Sequence, residues 1–190
     1  MKTIWYALFA LLPIGCGHVP EYPADSPYYA YPTGARLTLD KTIEIPADSA
    51  TVRLQFGQPV ARNGVHEEEP HCIFELETVS PAIQRVEPDR LTVTRIERRV
   101  RTFAGLPPWP NQHGLHRPAR PWRVGFADDD GPSHLYFITE FRLKSERQPN
   151  IRALTCQHNQ MMPGVAIMRH LTLPEIRAAL GDWFRLEVGH

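Results

Sequence analysis

The chain lacks an excess of charge of either sign. It carries 21 basic and 21 acidic side chains among 190 residues, so its net charge at neutral pH is near zero. A protein that attracts nucleic acid or acidic lipid over a long range needs a concentrated basic face, because phosphate charges must be neutralised. The balanced composition excludes such an attraction, and we expect no nucleic-acid partner.

Motifs of common enzymatic reactions are also lacking. No serine lies in a Gly-x-Ser-x-Gly pattern, and no glycine-rich loop is suited to cradle a phosphate. Asp128–Gly131 has the acidic residues of a calcium loop, but alignment on Gly131 puts Phe126 at the first ligand position. We predict a hairpin turn there instead. The sequence defines no reaction, and we expect a non-enzymatic protein without a cofactor.

Long hydrophobic runs are scarce. Ile4–Leu12 is an apolar run of nine residues, whereas a helix needs roughly 20 to span a bilayer. Lys2 precedes this run, and Leu12-Pro13-Ile14-Gly15-Cys16 ends it. The arrangement resembles the signal peptide and lipobox of bacterial lipoproteins, with Pro13 where the lipobox usually has leucine.

This resemblance implies export, removal of residues 1–15 and attachment of a lipid to Cys16. Gly17 and His18 stand where an aspartate commonly retains lipoproteins at the inner membrane. The implied location is therefore the outer membrane, facing the periplasm. Residues 16–35 comprise the lipidated cysteine and a segment rich in proline and tyrosine, which we interpret as a tether or as a segment laid along the domain surface. Residues 36–190 form a single β-rich domain.

The pattern of the domain predicts a mainly β fold. The 19 prolines of the chain argue against a helical protein, because proline breaks helix interiors but fits turns and sheet edges. Apolar and polar residues alternate with the period of half-buried strands. We predict an antiparallel sandwich or barrel of about eight strands. The stretches are Leu37–Ile45, Val52–Phe56, His71–Val79, Leu91–Phe103, Trp122–Phe126, Leu135–Leu143, Ile151–Cys156 and Phe184–Val188.

One helix is predicted near the C-terminus. Thr172 and Glu175 have the spacing of a capping box, and Pro174 lies in the first turn. Gly181 follows the last turn, where glycine commonly ends a helix. The apolar residues between these signals form one stripe, so the helix is expected to pack on the sheet.

The chain has only three cysteines. If Cys16 carries the lipid, Cys72 and Cys156 remain in an oxidising space with one way to pair. Cys72 lies in the stretch His71–Val79, which we predict to be a central strand with Cys72 and Phe74 facing the core. We predict a Cys72–Cys156 disulfide, which contributes about 4–5 kcal/mol in the chain-entropy account.

An alternative hypothesis assigns the segment after the last long strand to copper. Cys156, His158, Met161, Met162 and His170 offer thiolate, imidazole and thioether ligands, which copper prefers. Their order resembles the copper loop of cupredoxins. Those proteins leave at least two residues between Cys and His, whereas this chain leaves one. A copper thiolate and the predicted disulfide exclude each other.

The longest irregular stretch is Gly105–Pro121, and long loops are often functional. It contains Trp109, His113 and His116. We expect it to be the surface that contacts a partner. The sequence thus predicts a non-enzymatic envelope lipoprotein, a disulfide-bearing β domain that binds or supports another envelope protein or the cell wall.

The disulfide can be tested by counting thiols. A chain that begins at Gly17 omits Cys16, so only Cys72 and Cys156 can react. After export to a periplasm and unfolding without reductant, we expect no free thiols in a colorimetric thiol assay. Two free thiols would show that the cysteines are unpaired, and copper titration would then be the next measurement.

Overall fold

The computed structural model describes residues 21–104, 132–160 and 168–188. Strands make up 52% of the fold, which has one helix and a curled antiparallel sheet of eight strands that forms a half-barrel, with a second small sheet beside it. The prediction of a mainly β fold with about eight strands and one C-terminal helix is confirmed.

The described residues form ten strands, one α-helix and one 3-10 turn. The strands are β1 Arg36–Leu39, β2 Ile43–Ile45, β3 Ser49–Gln55, β4 Gln58–Val60, β5 His71–Ser80, β6 Gln84–Val86, β7 Asp89–Ala104, β8 Pro132–Lys144, β9 Ile151–Gln157 and β10 Phe184–Glu187, with helix α1 at Leu173–Leu180 and a 3-10 turn at Arg62–Gly64. The large sheet has the order β10-β1-β7-β8-β9-β5-β3-β4, and β2 pairs with β6 in the small sheet.

The large sheet curls because it wraps around α1. The helix contacts β10 at one edge of the sheet and also contacts β5 and β3, which lie near the other edge. One short helix can touch both ends only if the sheet bends toward it. Phe74 of β5 and Phe184 of β10 meet inside the curl, with ring centroids 5.1 Å apart. We call the face toward the helix the inner face.

Helix α1 begins as predicted. The Thr172 hydroxyl accepts from the backbone N–H of Glu175, and the Glu175 carboxylate accepts from the backbone N–H of Thr172, 2.8 Å away. This reciprocal capping satisfies two donors that the first turn of a helix otherwise leaves open. Leu173, Ile176 and Leu180 are buried, so the predicted apolar stripe faces the sheet.

Strand pairing differs from the sequence prediction at several points. Leu135–Leu143 lies in β8, which pairs with β7 over nearly its whole length. The predicted partner Trp122–Phe126 and the turn Asp128–Gly131 lie outside the described residues. Leu37–Ile45 contains two strands, β1 and β2, that belong to different sheets.

A β-bulge in β7 changes which side chains face inward. Leu91 and Val93 are buried in the core, and the register with β8 shifts between Val93 and Arg95. The extra residue moves Arg95 to the outer face, although strict alternation groups it with Val93. Beyond the bulge the inner positions are Ile96, Arg98 and Val100.

Residues 21–35 lie along the domain, which is the second of the two arrangements considered for this segment. Tyr31 and Ala35 are buried in the core. The Gly34 N–H donates to the Val93 carbonyl over 3.0 Å, and the Val93 N–H donates to the Ala35 carbonyl over 2.9 Å. These contacts fasten the end of the segment to β7.

Two glycines join the two sides of the curled sheet. Gly57 lies in the turn between β3 and β4, and Gly181 follows α1. The Gly57 N–H donates to the Ala179 carbonyl over 3.2 Å. Gly181 has φ 59° and ψ −136°, and a Cβ there would lie 2.4 Å from the Gly57 Cα. Only glycine fits this contact, because both the backbone conformation and the space exclude a side chain.

We expect Gly181→Ala to lower the free energy of unfolding by about 2–4 kcal/mol, since strain and overpacking each cost 1–3 kcal/mol. Urea denaturation followed by tryptophan fluorescence measures the change. Gly64→Ala is the matched control, because a Cβ at Gly64 meets nothing within 4 Å. Equal free energies of unfolding for the two variants would contradict the conclusion that the contact between Gly57 and Gly181 requires glycine.

Candidate functional site

The pairing of β5 with β9 brings the two cysteines together. Cys72 and Cys156 are directly opposite in the antiparallel register, with sulfur atoms at the bonded distance of 2.11 Å. Both side chains are fully buried. The structure thus pairs the cysteines as the sequence predicts, and it places the disulfide on the inner face.

The disulfide belongs to a row of residues that crosses five strands. Strand pairing aligns, in order, Arg98 of β7, Thr139 of β8, Cys156 of β9, Cys72 of β5 and Leu54 of β3. Directly opposite residues have Cβ atoms about 4.5–5.5 Å apart and share one face. The inner face is therefore apolar on the β3 side and becomes polar toward β7.

The guanidinium of Arg98 is fixed from two directions. Its Nη1 donates a 3.0 Å hydrogen bond to the Pro27 carbonyl, and its central carbon lies 5.1 Å from the centre of the Tyr31 ring. Tyr31 also packs edge-on against Phe141, with centroids 5.1 Å apart. The other two guanidinium nitrogens, Nε and Nη2, are buried and have no hydrogen-bond partner among the described residues.

Two histidines extend the polar part of the inner face, and one of them, His170, lies close enough to Arg98 for the charge of Arg98 to act on it. The His170 ring packs edge-on against Phe137, with centroids 5.4 Å apart, and Phe137 lies two residues before Thr139 on β8. His158 lies two residues beyond Cys156, and a bridge between Tyr136 and Asn159 continues the β8–β9 register past it. We call Tyr31, Arg98, Thr139, His158 and His170 the inner polar cluster.

The inner polar cluster holds most of the unsatisfied polar atoms in the described part of the chain. Besides the two Arg98 nitrogens, they are the Tyr31 hydroxyl, the Thr139 hydroxyl and the Nδ1 atoms of His158 and His170. A buried polar group without a partner costs about 1–3 kcal/mol, and a charged group costs more. Several unsatisfied buried polar atoms in one place are typical of a binding site, where some folding stability is lost to keep groups available for a ligand.

The cluster carries its positive charge on Arg98. Burial, reinforced by the charge of Arg98, lowers the pKa of His170 to about 4. Burial also lowers the pKa of His158, and Glu175 opposes this shift. Burial raises the pKa of Tyr31 to about 12, although the nearby Arg98 opposes the rise. At neutral pH both histidines are uncharged and Tyr31 keeps its proton, so Arg98 is the charged member of the cluster. The Arg169–Glu175 ion pair lies close enough to act on His158.

A second polar group lies on the outer face under residues 65–70. Gln55, His71 and Gln157 are aligned across β3, β5 and β9. His71 is buried, with Nδ1 3.1 Å from the Glu69 carbonyl and Nε2 3.7 Å from the Glu67 carboxylate. Burial is the main cause of the lowered pKa of His71. Its ring atoms are engaged, so this group fastens the connection to the sheet.

An open cleft of about 460 Å³ lies beside β3 and β4. Arg53 and Arg62 both line it, and Glu44 at its wall is bound to Arg85 over 2.7 Å. Burial lowers the pKa of Arg53, and the like charge of Arg62 lowers it further. The cleft is large enough for a small molecule, but its polar groups are more exposed than those of the inner polar cluster.

The predicted site residues fall into three groups. Cys72 and Cys156 form the disulfide, while His158 and His170 belong to the inner polar cluster. Cys16, Trp109, His113, His116, Met161 and Met162 lie outside the described residues.

The copper hypothesis competes with the disulfide for Cys156, and its ligands Met161 and Met162 lie outside the described residues, so it stays a prediction. In this structure Cys156 is paired with Cys72, which is the arrangement that the copper hypothesis excludes. Within residues 21–104, 132–160 and 168–188, no group of three His, Cys, Asp or Glu side chains is placed to hold a metal ion.

Sequence reasoning missed Tyr31, Arg98 and Thr139. One signal for Arg98 exists, because it stands between Ile96 and Val100 at a position that alternation assigns to the inner face. The bulge hides this signal, since it shifts the alternation relative to Leu91 and Val93. Tyr31 joins the cluster from a segment without periodicity, so no local pattern indicates its contact with β7.

Comparison with models of protein families, with curated proteins and with solved structures gives no match. Among the described residues, no helix is both long and apolar enough to cross a membrane.

Proposed function

We propose that this protein is a non-enzymatic lipoprotein of the bacterial envelope. Cys16 anchors it to the outer membrane on the periplasmic side, and its β domain binds or supports another envelope component. The observation that carries the proposal is the buried Cys72–Cys156 pair in a chain that starts with a lipobox-like sequence. Disulfides of this kind persist in oxidising compartments and are rare in the bacterial cytosol.

Burial of the disulfide favours a structural role for it. Both cysteines are 0% exposed, and thiol–disulfide exchange requires access of the attacking thiolate to a sulfur atom. The bond also links two neighbouring central strands of the sheet. This supports a domain that is oxidised once, during export, and then keeps its shape as a binding module.

The proposed contact surface is Gly105–Pro121. Ala104 and Pro132 are opposite each other at the end of the β7–β8 pair, so the chain between them leaves and re-enters the sheet at one place. A loop anchored in this way can change without altering the strands, which is common for recognition loops. Trp109, His113 and His116 provide aromatic and hydrogen-bonding groups for a partner.

Anchoring is tested by Cys16→Ser in the full chain expressed in a bacterium with lipoprotein processing. We expect the wild type to incorporate labelled fatty acid and to sediment with outer membranes, whereas the variant incorporates none. Because the sulfur that receives the lipid is lost, its share in the membrane fraction should fall at least tenfold. Cys72→Ser is the control for cysteine loss. Membrane association of Cys16→Ser equal to that of the wild type would refute the anchor.

Recognition is tested by deleting Gly105–Pro121, which leaves residues 122–131 to join Ala104 to Pro132. We expect the deletion to change the midpoint of urea unfolding little, since the strands stay paired. Partners recovered by chemical crosslinking in the envelope should be lost. A triple substitution of Trp109, His113 and His116 by alanine keeps the loop length and should reproduce the loss. An unchanged set of crosslinked partners in the deletion would exclude this loop as the contact surface.

A further inference from the structure

The inner polar cluster has a donor pair that is ready to bind an anion. In a guanidinium group, the N–H bonds of Nε and Nη2 are parallel and match the two oxygens of a carboxylate. In Arg98 both of these nitrogens are buried and unpartnered among the described residues, while Nη1 is held by the Pro27 carbonyl. The group is thus oriented by the protein, and the pair that suits a carboxylate is the one left open.

Another arginine of the same molecule shows what this pair of nitrogens binds. Arg185 Nε and Nη2 donate to the two carboxylate oxygens of Asp40, each over 2.8 Å. Arg185 lies at the surface and forms this bond within the fold. Arg98 presents the same pair toward the inner face, and none of the ion pairs within the described residues includes it.

The surroundings of Arg98 provide further partners for a bound acid. The Tyr31 hydroxyl is a second unpartnered donor, and Tyr31 is 9% exposed. Thr139 is directly opposite Arg98 in the strand register, is fully buried and also has an unpartnered hydroxyl. The central guanidinium carbon of Arg98 lies 5.1 Å from the centre of the Tyr31 ring, and the charge of Arg98 acts on the Tyr31 hydroxyl.

The inner polar cluster lies close to the surface on its β7 side. Val100 is the next inner-face position on β7 after Arg98, and its side chain is 51% exposed. The inner face therefore reaches the surface one position beyond the guanidinium.

We propose that the inner polar cluster binds the carboxylate group of a small organic acid. Arg98 Nε and Nη2 donate to its two oxygens, and the hydroxyls of Tyr31 and Thr139 provide further hydrogen bonds. This inference goes beyond the proposed envelope function and does not depend on the lipid anchor or on the Gly105–Pro121 loop.

The test measures the thermal unfolding midpoint of the full chain in acetate and in succinate against chloride at equal ionic strength. We expect a saturable rise in the midpoint with the carboxylates. Arg98→Met removes the charge and Arg98→Lys keeps it without the paired donors. In both variants, the carboxylate concentration that gives half of the maximal rise should be at least ten times that of the wild type. Arg101→Met is the matched control, because Arg101 is exposed on the outer face of the same strand, and it should respond like the wild type.

The midpoint without ligand gives a second, independent readout. If the guanidinium of Arg98 has no partner in the ligand-free protein, Arg98→Met removes an unpaired charge and should raise the midpoint. The expected rise is about 2–4 °C, which corresponds to 1 kcal/mol in a domain of this size. A lower midpoint for Arg98→Met would show that the chain itself satisfies the guanidinium, and it would overturn the proposal. Equal responses to acetate, succinate and chloride in the wild type would overturn it as well.

Discussion

The register between β5 and β9 holds the rest of the molecule in place. Side chains alternate across a strand with period 2, so a slip of one residue would move Phe74 and Leu76 out of the core. The bond between Cys72 and Cys156 allows one register and excludes the neighbouring ones. β8 pairs with β9 and β7 pairs with β8, so the strands that carry the inner polar cluster lie next to this fixed pair in the sheet.

The inner face changes character along one row. From Leu54 to Cys156 it is apolar and fully buried, as a stable core requires, while Thr139 and Arg98 continue the same row with polar groups. Replacement of these two residues by aliphatic ones would extend the core at no cost in chain geometry. Both residues lie in the same row as a covalent crosslink. We infer that the disulfide makes one side of the row rigid, while the β7 side provides polar groups for binding.

The sequence was informative where structure is local. The capping box of α1 was predicted to the residue because Thr172 and Glu175 interact within one turn, and most strands were predicted because burial of one face imposes alternation. Pairing was predicted less well. The partner of β8 is β7, and the bulge that turns Arg98 inward depends on a shift between two strands that neither strand shows alone. Tyr31 reaches the cluster through long-range packing, which composition and spacing do not encode.

The open sheet ends in two short strands, and this has a consequence for self-association. β4 has three residues, one of which is Pro59 without an N–H group, and β10 has four. An unpaired strand edge can add a strand from a second molecule, which is how many β proteins polymerise. Among the described residues, β4 and β10 each offer too few backbone donors and acceptors for a lasting ladder, so the two ends of this strand order do not favour growth into fibrils.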